Sequence, residues 1–185
     1  MLTVNLQPFP VLSTGRLILR RVDKKDAPEV FAMRSSPEVM KYIDRLRATS
    51  MDDALDFIQR VDDLVDNNNG ITWAITLKDD DTMIGSIGLW RIVKEHYRAE
   101  IGYMMQPSFQ GKGLMNEAMI ATLDYGFKEL KLHSVEANVN PANAASARIL
   151  EKHGFVREAY FKENFYFNGK FLDTFIFSLL APKID

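Results

Sequence analysis

The stretch from Arg98 to Phe155 constrains the fold more than any other part of the chain. Arg98 to Met105 reads as a strand ended by Pro107, and the glycine-containing segment Gln110 to Gly113 then feeds a long helix. Ser134 to Val139 reads as the next strand, and Asn143 to His153 as the next helix, stopped by Gly154. In the long helix Ile120, Leu123, Phe127 and Leu130 fall on one face, with Glu117, Asp124, Lys128 and Lys131 on another. One side is therefore made to lie on a sheet, and strand-to-helix alternation of this kind belongs to α/β folds.

The flanking segments add strands and two helical stretches. Arg16 to Val22 alternates as a first strand, Asp23 can cap a helix to about Arg34, and Pro37 can open a short turn to about Tyr42. Ser50 followed by Asp53 has the form of a capping box, predicting a helix that runs to about Asn67 and stops at Asn67-Asn68-Asn69-Gly70. Ile71 to Leu77 and Met83 to Val93 read as a hairpin across the acidic turn Lys78 to Asp81. Phe155 to Phe167 and Phe171 to Leu180 read as a second hairpin across Asn168-Gly169.

Composition narrows the partners. The 185 residues suit one domain spanning 1–185, and 46% apolar with 26% charged residues is ordinary for a globular protein. There is no cysteine, which excludes a disulfide framework, a zinc–thiolate site and a thiol nucleophile, and which suits a reducing cytoplasm. The first fifteen residues carry no side-chain charge but lack a basic leader, and Pro8, Pro10 and Gly15 interrupt them. No apolar run approaches the ~20 residues that span a bilayer. With a formal charge of −2 and scattered basic residues, neither nucleic acid nor a membrane is an expected partner. An anionic ligand must then be held by local features such as a helix N-terminus.

The turn Gln110 to Gly113 offers such a feature, because a strand feeding a helix through glycines presents unpaired N–H groups and the positive end of the helix dipole together. It is not a P-loop, which needs Ser or Thr after Gly-Lys and a glycine five positions before Gly111; the chain has Gly113 and Gln106 there. Nor is it a Rossmann turn beginning at Gly111, since position 116 is Asn116.

Gln110-Gly111-Lys112-Gly113-Leu114-Met115 instead resembles the acetyl-CoA loop of the GNAT superfamily, Gln/Arg-x-x-Gly-x-Gly/Ala, with Met115 departing at the last position. Asn140 to Phe155, with Asn143, Ser146 and Glu151-Lys152-His153-Gly154-Phe155, resembles the segment that follows the next strand in that superfamily. Leu12 to Arg20 resembles the opening strand of its Rim-type branch, the ribosomal-protein N-terminal acetyltransferases and their relatives. The resemblance implies a central, twisted mixed sheet flanked by helices and splayed open after Met105, with a β-bulge as the device. It also implies that Met104, Met105 and Gln106 offer backbone groups to pantetheine and that Gln110, Gly111, Lys112, Gly113, Leu114 and Met115 hold the pyrophosphate. Asn143 then contacts the cofactor arm. Arg148 and Lys152, one helical turn apart, either reach a CoA phosphate or form a solvated face.

The implied reaction is direct attack of a primary amine on acetyl-CoA, with no protein nucleophile and no metal. An ammonium acceptor needs a base, and Glu100, on the strand face of Gly102 and Met104, is the candidate; the alternative is a solvated strand-end carboxylate. Many relatives carry a tyrosine acid seven residues after the asparagine, but Leu150 fills that slot here, so Ser146 is the substitute donor, or else a helix hydroxyl without a role. Backbone N–H groups around Met104 would polarise the carbonyl. His96, His133 and His153 lack metal-ligand spacing, and the Phe-rich end (Phe161, Phe165, Phe167, Phe171, Phe175, Phe177) suits core and hairpin packing. Asp52, Asp53, Asp56, Asp62, Asp63 and Asp66 make an acidic helix that flanks the region where relatives admit acceptors. The acceptors expected are a protein N-terminus, a polyamine, an amino acid or an antibiotic, on a cytoplasmic monomer or homodimer. The alternative is a non-catalytic acyl-CoA-binding or regulatory module of the same fold.

Overall fold

The computed structural model describes residues 1–182. Its strands are β1 (Leu12–Ser13), β2 (Leu17–Arg21), β3 (Ile71–Leu77), β4 (Asp80–Val93), β5 (Arg98–Met105), β6 (Ser134–Val139), β7 (Val156–Phe167) and β8 (Lys170–Leu180). Its helices are α1 (Ala27–Ser35), α2 (Met51–Asp66), α3 (Leu114–Lys128) and α4 (Ala144–Lys152). One sheet runs β1-β2-β3-β4-β5-β6-β8-β7, antiparallel throughout except for β5 and β6, which are parallel because α3 crosses over between them.

Each face of the sheet carries a core. Ala99, Ile101 and Met105 of β5 are buried with Leu114, Ala118, Met119 and Leu123 of α3 and Leu150 of α4. On the other face Val30 and Met33 of α1 and Ala54, Ile58 and Val61 of α2 pack over Ala74 and Met83, with Met104 against them. The parity of β5 thus sends Met104, Gly102 and Glu100 towards α1 and α2, and Tyr103, Ile101 and Ala99 towards α3 and α4.

Local chemistry sets the element ends. Ser50 and Asp53 form a reciprocal capping box, Ser50 Oγ accepting from Asp53 N–H and Asp53 accepting from Ser50 N–H, and α2 starts there. Asn168 (φ 48°) and Gly169 (φ 80°) supply the two positive φ angles that a tight β7–β8 turn requires.

Four expectations change. The first hairpin turn is shorter than Lys78 to Asp81: Leu77 pairs with Asp80, so β4 begins at Asp80. The face of α3 on the sheet is Leu114, Ala118, Met119, Thr122, Leu123 and Gly126, while Ile120 is 51% exposed. Small residues decide this, since a Cβ on Gly126 would lie 3.2 Å from Leu89 and 3.3 Å from Leu132. Of the Phe-rich end only Phe177 is fully buried, whereas Phe161 and Phe171 are largely exposed on the hairpin. Finally, β5 and β6 part after Glu100, not after Met105. Among the described residues no helix is long and apolar enough to cross a membrane.

Candidate active site

The parting of β5 from β6 creates the cleft. The two strands pair only at Arg98↔Ser134, Ala99↔Val135 and Glu100↔Glu136, where Arg98 also bridges to Glu136 at 2.8 Å. Beyond that point Ile101–Met105 stays on β4 and Ala137–Val139 stays on β8. The β4 register shifts between Trp90 and Val93, with Arg91 at φ 48°, beside the point of separation; a bulge adds local twist.

Hydrogen bonding on the β4 side fixes which β5 groups face the cleft. Gln106 N–H donates to Ile84 O at 2.9 Å, and antiparallel alternation then directs the backbones of Met104, Gly102 and Glu100 to β4 as well. Ile101, Tyr103 and Met105 therefore turn their backbone groups to the opening. Of Met104, Met105 and Gln106, only Met105 turns its backbone to the opening; the Met104 backbone and the Gln106 N–H face β4, and the Gln106 carbonyl accepts from Phe109 N–H. The Met105 carbonyl accepts from Gln110 Nε2 at 2.9 Å, which ties the strand end to the following loop.

That loop is shaped by two glycines, Gly111 at φ 72° and Gly113 at φ 76°, where any other residue would be strained. Gly113 caps α3 without any side chain accepting from the first turn. The N–H groups of Leu114, Met115 and Asn116 precede the first intrahelical bond, Glu117 N–H to Gly113 O at 3.1 Å, so they are free to meet an anion. Met115, the departure from the family pattern, packs its side chain on the core.

A clamp from the N-terminal strand holds the loop. Arg16 donates to Lys112 O (3.1 Å) and to Glu117 Oε2 (2.8 Å), and the Arg16 N–H and Thr14 hydroxyl both donate to Glu117 Oε1. Burial pulls the Glu117 carboxyl pKa up, but the bonds from Thr14 and Arg16 outweigh it and hold it below the usual range. Sequence reading matched Leu12 to Arg20 as a strand and missed this tether, since its partners lie about a hundred residues away.

Across the cleft, Asn143 caps α4, its Oδ1 accepting from Ser146 N–H at 3.1 Å. Ser146 Oγ lies 2.8 Å from the hydroxyl of Tyr103. Burial drives the Tyr103 phenol up to about 12, against a smaller lowering by Ser146. Leu150 is wholly buried in the core, so the phenol near Ser146 comes from β5 and not from the family's usual slot on α4. Arg148 and Lys152 are both exposed and, among the described residues, make no ion pair.

Glu100 stands on the opposite face of β5, at the last paired position. Its side chain is 14% exposed, and Oε2 accepts from Arg91 Nη1 at 2.9 Å. Among the described residues Oε1 has no such partner, and Arg91 is itself largely exposed, so this ion pair holds the carboxylate only weakly.

A parallel pair that opens into a cleft, an anion-binding loop at one end and polar groups on both sides define an acyl-CoA-dependent transferase. The acetyltransferase (GNAT) domain profile matches residues 16–156, and the chain belongs to that family. The uncharacterized N-acetyltransferase YoaA of Bacillus subtilis (strain 168) is 37% identical over 175 residues, covering 95% of this chain and 99% of that one. The [ribosomal protein uS5]-alanine N-acetyltransferase of Escherichia coli (strain K12) is 31% identical over 105 residues, 56% of this chain and 54% of its own. Among solved structures, the spermidine N-acetyltransferase of Vibrio cholerae in complex with CoA and spermine superposes with a TM-score of 0.78 at 25% identity, covering 89% of this chain and 95% of that one. The chain is an N-acetyltransferase with Rim-type relatives, moving the acetyl group of acetyl-CoA to an amine.

Proposed function

We propose that acetyl-CoA lies along the free edge of β5, with its pyrophosphate on the Gln110–Met115 turn, and that Ser146 and Tyr103 together serve the leaving sulfur. The observation that carries this reading is the 2.8 Å contact between Ser146 Oγ and Tyr103 Oη at the cleft wall. Either hydroxyl of the pair can donate to the other; the Tyr103 phenol keeps its proton far above neutrality, and in the arrangement that serves catalysis it donates to Ser146 Oγ and leaves the serine hydrogen free to point at sulfur. As the amine nitrogen bonds to the acetyl carbon and the C–S bond breaks, that hydrogen meets the developing thiolate. Stabilisation arises where charge appears in the transition state.

The backbone N–H of Tyr103 or Met105, turned to the cleft, polarises the thioester carbonyl. Glu100 accepts the ammonium proton at Oε1, directly or through one water, before attack. Asn143 positions the pantetheine arm through the amide group left free by its cap. Arg148 and Lys152 meet the CoA phosphates. The acceptor is a primary amine, a protein N-terminus or a small molecule.

The test is release of free thiol from acetyl-CoA across a panel of amines: N-terminal Ala and Ser peptides, spermidine, amino acids and aminoglycosides. Turnover on at least one is expected, and Gly113→Glu should abolish acetyl-CoA binding by placing a carboxylate against the pyrophosphate. Tight acetyl-CoA binding without turnover on any amine would instead fit a non-catalytic acyl-CoA-binding module.

A further inference from the structure

A second cavity lies between the end of α1, the start of α2 and the loop that joins them. It measures about 170 Å³, too small for a cofactor and sufficient for one compact group. Arg34, Arg47 and Arg60 line it, together with Ala48, Asp53 and Asp56. Despite the two aspartates, none of the three guanidiniums has a carboxylate within 4.0 Å among the described residues.

Arg34 is the telling member. It is partly buried and lies over the Phe57 ring at 4.3 Å. Burial, and then the like charges of Arg60 and Arg45, push its pKa down. A desolvated guanidinium is normally matched by an anion, and among the described residues no carboxylate pairs with Arg34. Asp53 is committed at one oxygen, its Oδ2 accepting from the N–H groups of Thr49 and Ser50 and from the Thr49 hydroxyl, and it makes no ion pair with the arginines among the described residues. One hollow is thus lined by three arginines, of which Arg47 and Arg60 are exposed, against two aspartates, which leaves an excess of positive charge.

The site is anchored. Ala48 N–H donates to Arg34 O at 3.0 Å, which fixes the loop against α1. Earlier in the same loop Asp44 lies beside Asn140, at the end of β6; burial raises its carboxyl pKa, while Arg45 and Asn140 pull it back. Asp44 and Arg47 are three residue steps apart, which the backbone can stretch to about 11 Å at most. The loop that lines the cavity is therefore tied at its other end to Asn140, just beyond β6.

We propose that this cavity binds an oxyanion, a carboxylate or phosphate group, and that in turnover the group belongs to the amine acceptor. The second clause rests on the proposed function, and the first does not. Guanidinium forks match both groups in two-point contact, and each such charge-assisted bond is worth about tenfold in affinity.

Calorimetric titration of inorganic phosphate and of glutarate into the full chain saturated with CoA, so that the pyrophosphate turn is filled, tests the first clause. Saturable binding is expected, weakened at least tenfold by the pair Arg47→Gln and Arg60→Gln, with CoA affinity unchanged as the check on folding. No saturable binding, or equal binding by the variant, overturns the site. The kinetic arm compares 4-aminobutyrate with its uncharged amide as acceptors. A preference of tenfold or more for the acid, collapsing in the variant, supports the acceptor assignment. Phosphate binding that the variant loses, without any change in that preference, overturns the acceptor clause and makes the oxyanion a separate ligand. If CoA fails to bind, the proposed function fails, and phosphate titration of the CoA-free chain still decides the cavity.

Discussion

Removing the Ser146 hydroxyl gives the sharpest test of the cleft chemistry. Ser146→Ala takes one oxygen from a helix that already holds Ala144, Ala145 and Ala147, so helix propensity does not suffer. The lost contact to Tyr103 is a neutral, partly buried hydrogen bond at 2.8 Å, worth about 1 kcal/mol of stability. Towards a thiolate the same hydroxyl donates to a charge, worth roughly 1.5–3 kcal/mol, or about 10- to 150-fold in kcat. Acetyl-CoA affinity should stay near wild type, because the interaction matters chiefly once sulfur is anionic. Tyr103→Phe should reproduce part of the loss, since the serine hydrogen is then no longer directed. In the double variant the effects should not add, because Tyr103 acts only through Ser146. The assay is steady-state thiol release with acetyl-CoA binding measured in parallel. An unchanged kcat in Ser146→Ala, or strict additivity in the cycle, would refute the relay.

Three further outcomes are expected. Glu100→Gln should lower kcat by about 10²-fold if Oε1 takes the acceptor's proton, and change the acidic limb of the pH–rate profile; an effect of about 1 kcal/mol on thermal stability alone would reduce Glu100 to a weak ion-pair partner of Arg91. Arg16→Ala frees Lys112 O and Glu117, and should raise KM for acetyl-CoA about tenfold with kcat within about twofold, as determined by initial rates; a fall in kcat alone would detach the clamp from cofactor binding. Because Tyr103 is raised to about 12, its contribution to stability is complete below pH 10 and disappears as pH rises through 12. Denaturant titrations should therefore show Tyr103→Phe losing less stability than wild type across that window.

The parts of the site that were legible in the sequence are those set by neighbours in the chain. Positive φ at Gly111 and Gly113, the uncapped start of α3 and the Asn143 cap depend on a few consecutive residues, and composition announces them. The parts that were missed depend on register. Tyr103 meets Ser146 across 43 positions, and Arg16 meets Glu117 across 101, through strand parity and helix placement that no local pattern encodes. Counting apolar bulk also misassigned one helix face. Ile120 is large yet exposed, while Ala118 and Gly126 face the sheet because only small side chains let α3 come close enough.

The cleft itself follows from where the single parallel pair sits. Along its whole length β5 is held by β4, from Trp90↔Glu100 to Gly85↔Met105, and β6 is held by β8, from Ser134↔Leu180 to Val139↔Phe175. Each strand is thus committed on its outer side, and neither can bend inwards without breaking an antiparallel ladder. The inner edge is zipped only at its base, where Arg98 bridges Glu136 and three positions pair. Closing the gap would require β5 to leave β4, against the close approach at Gly85, where a Cβ would lie 2.7 Å from Met104 O. The opening is consequently set by the strand pairing itself, which also orders the backbone groups of Ile101, Tyr103 and Met105. An extended arm that pairs with this edge meets a preformed partner, so little ordering entropy opposes its binding.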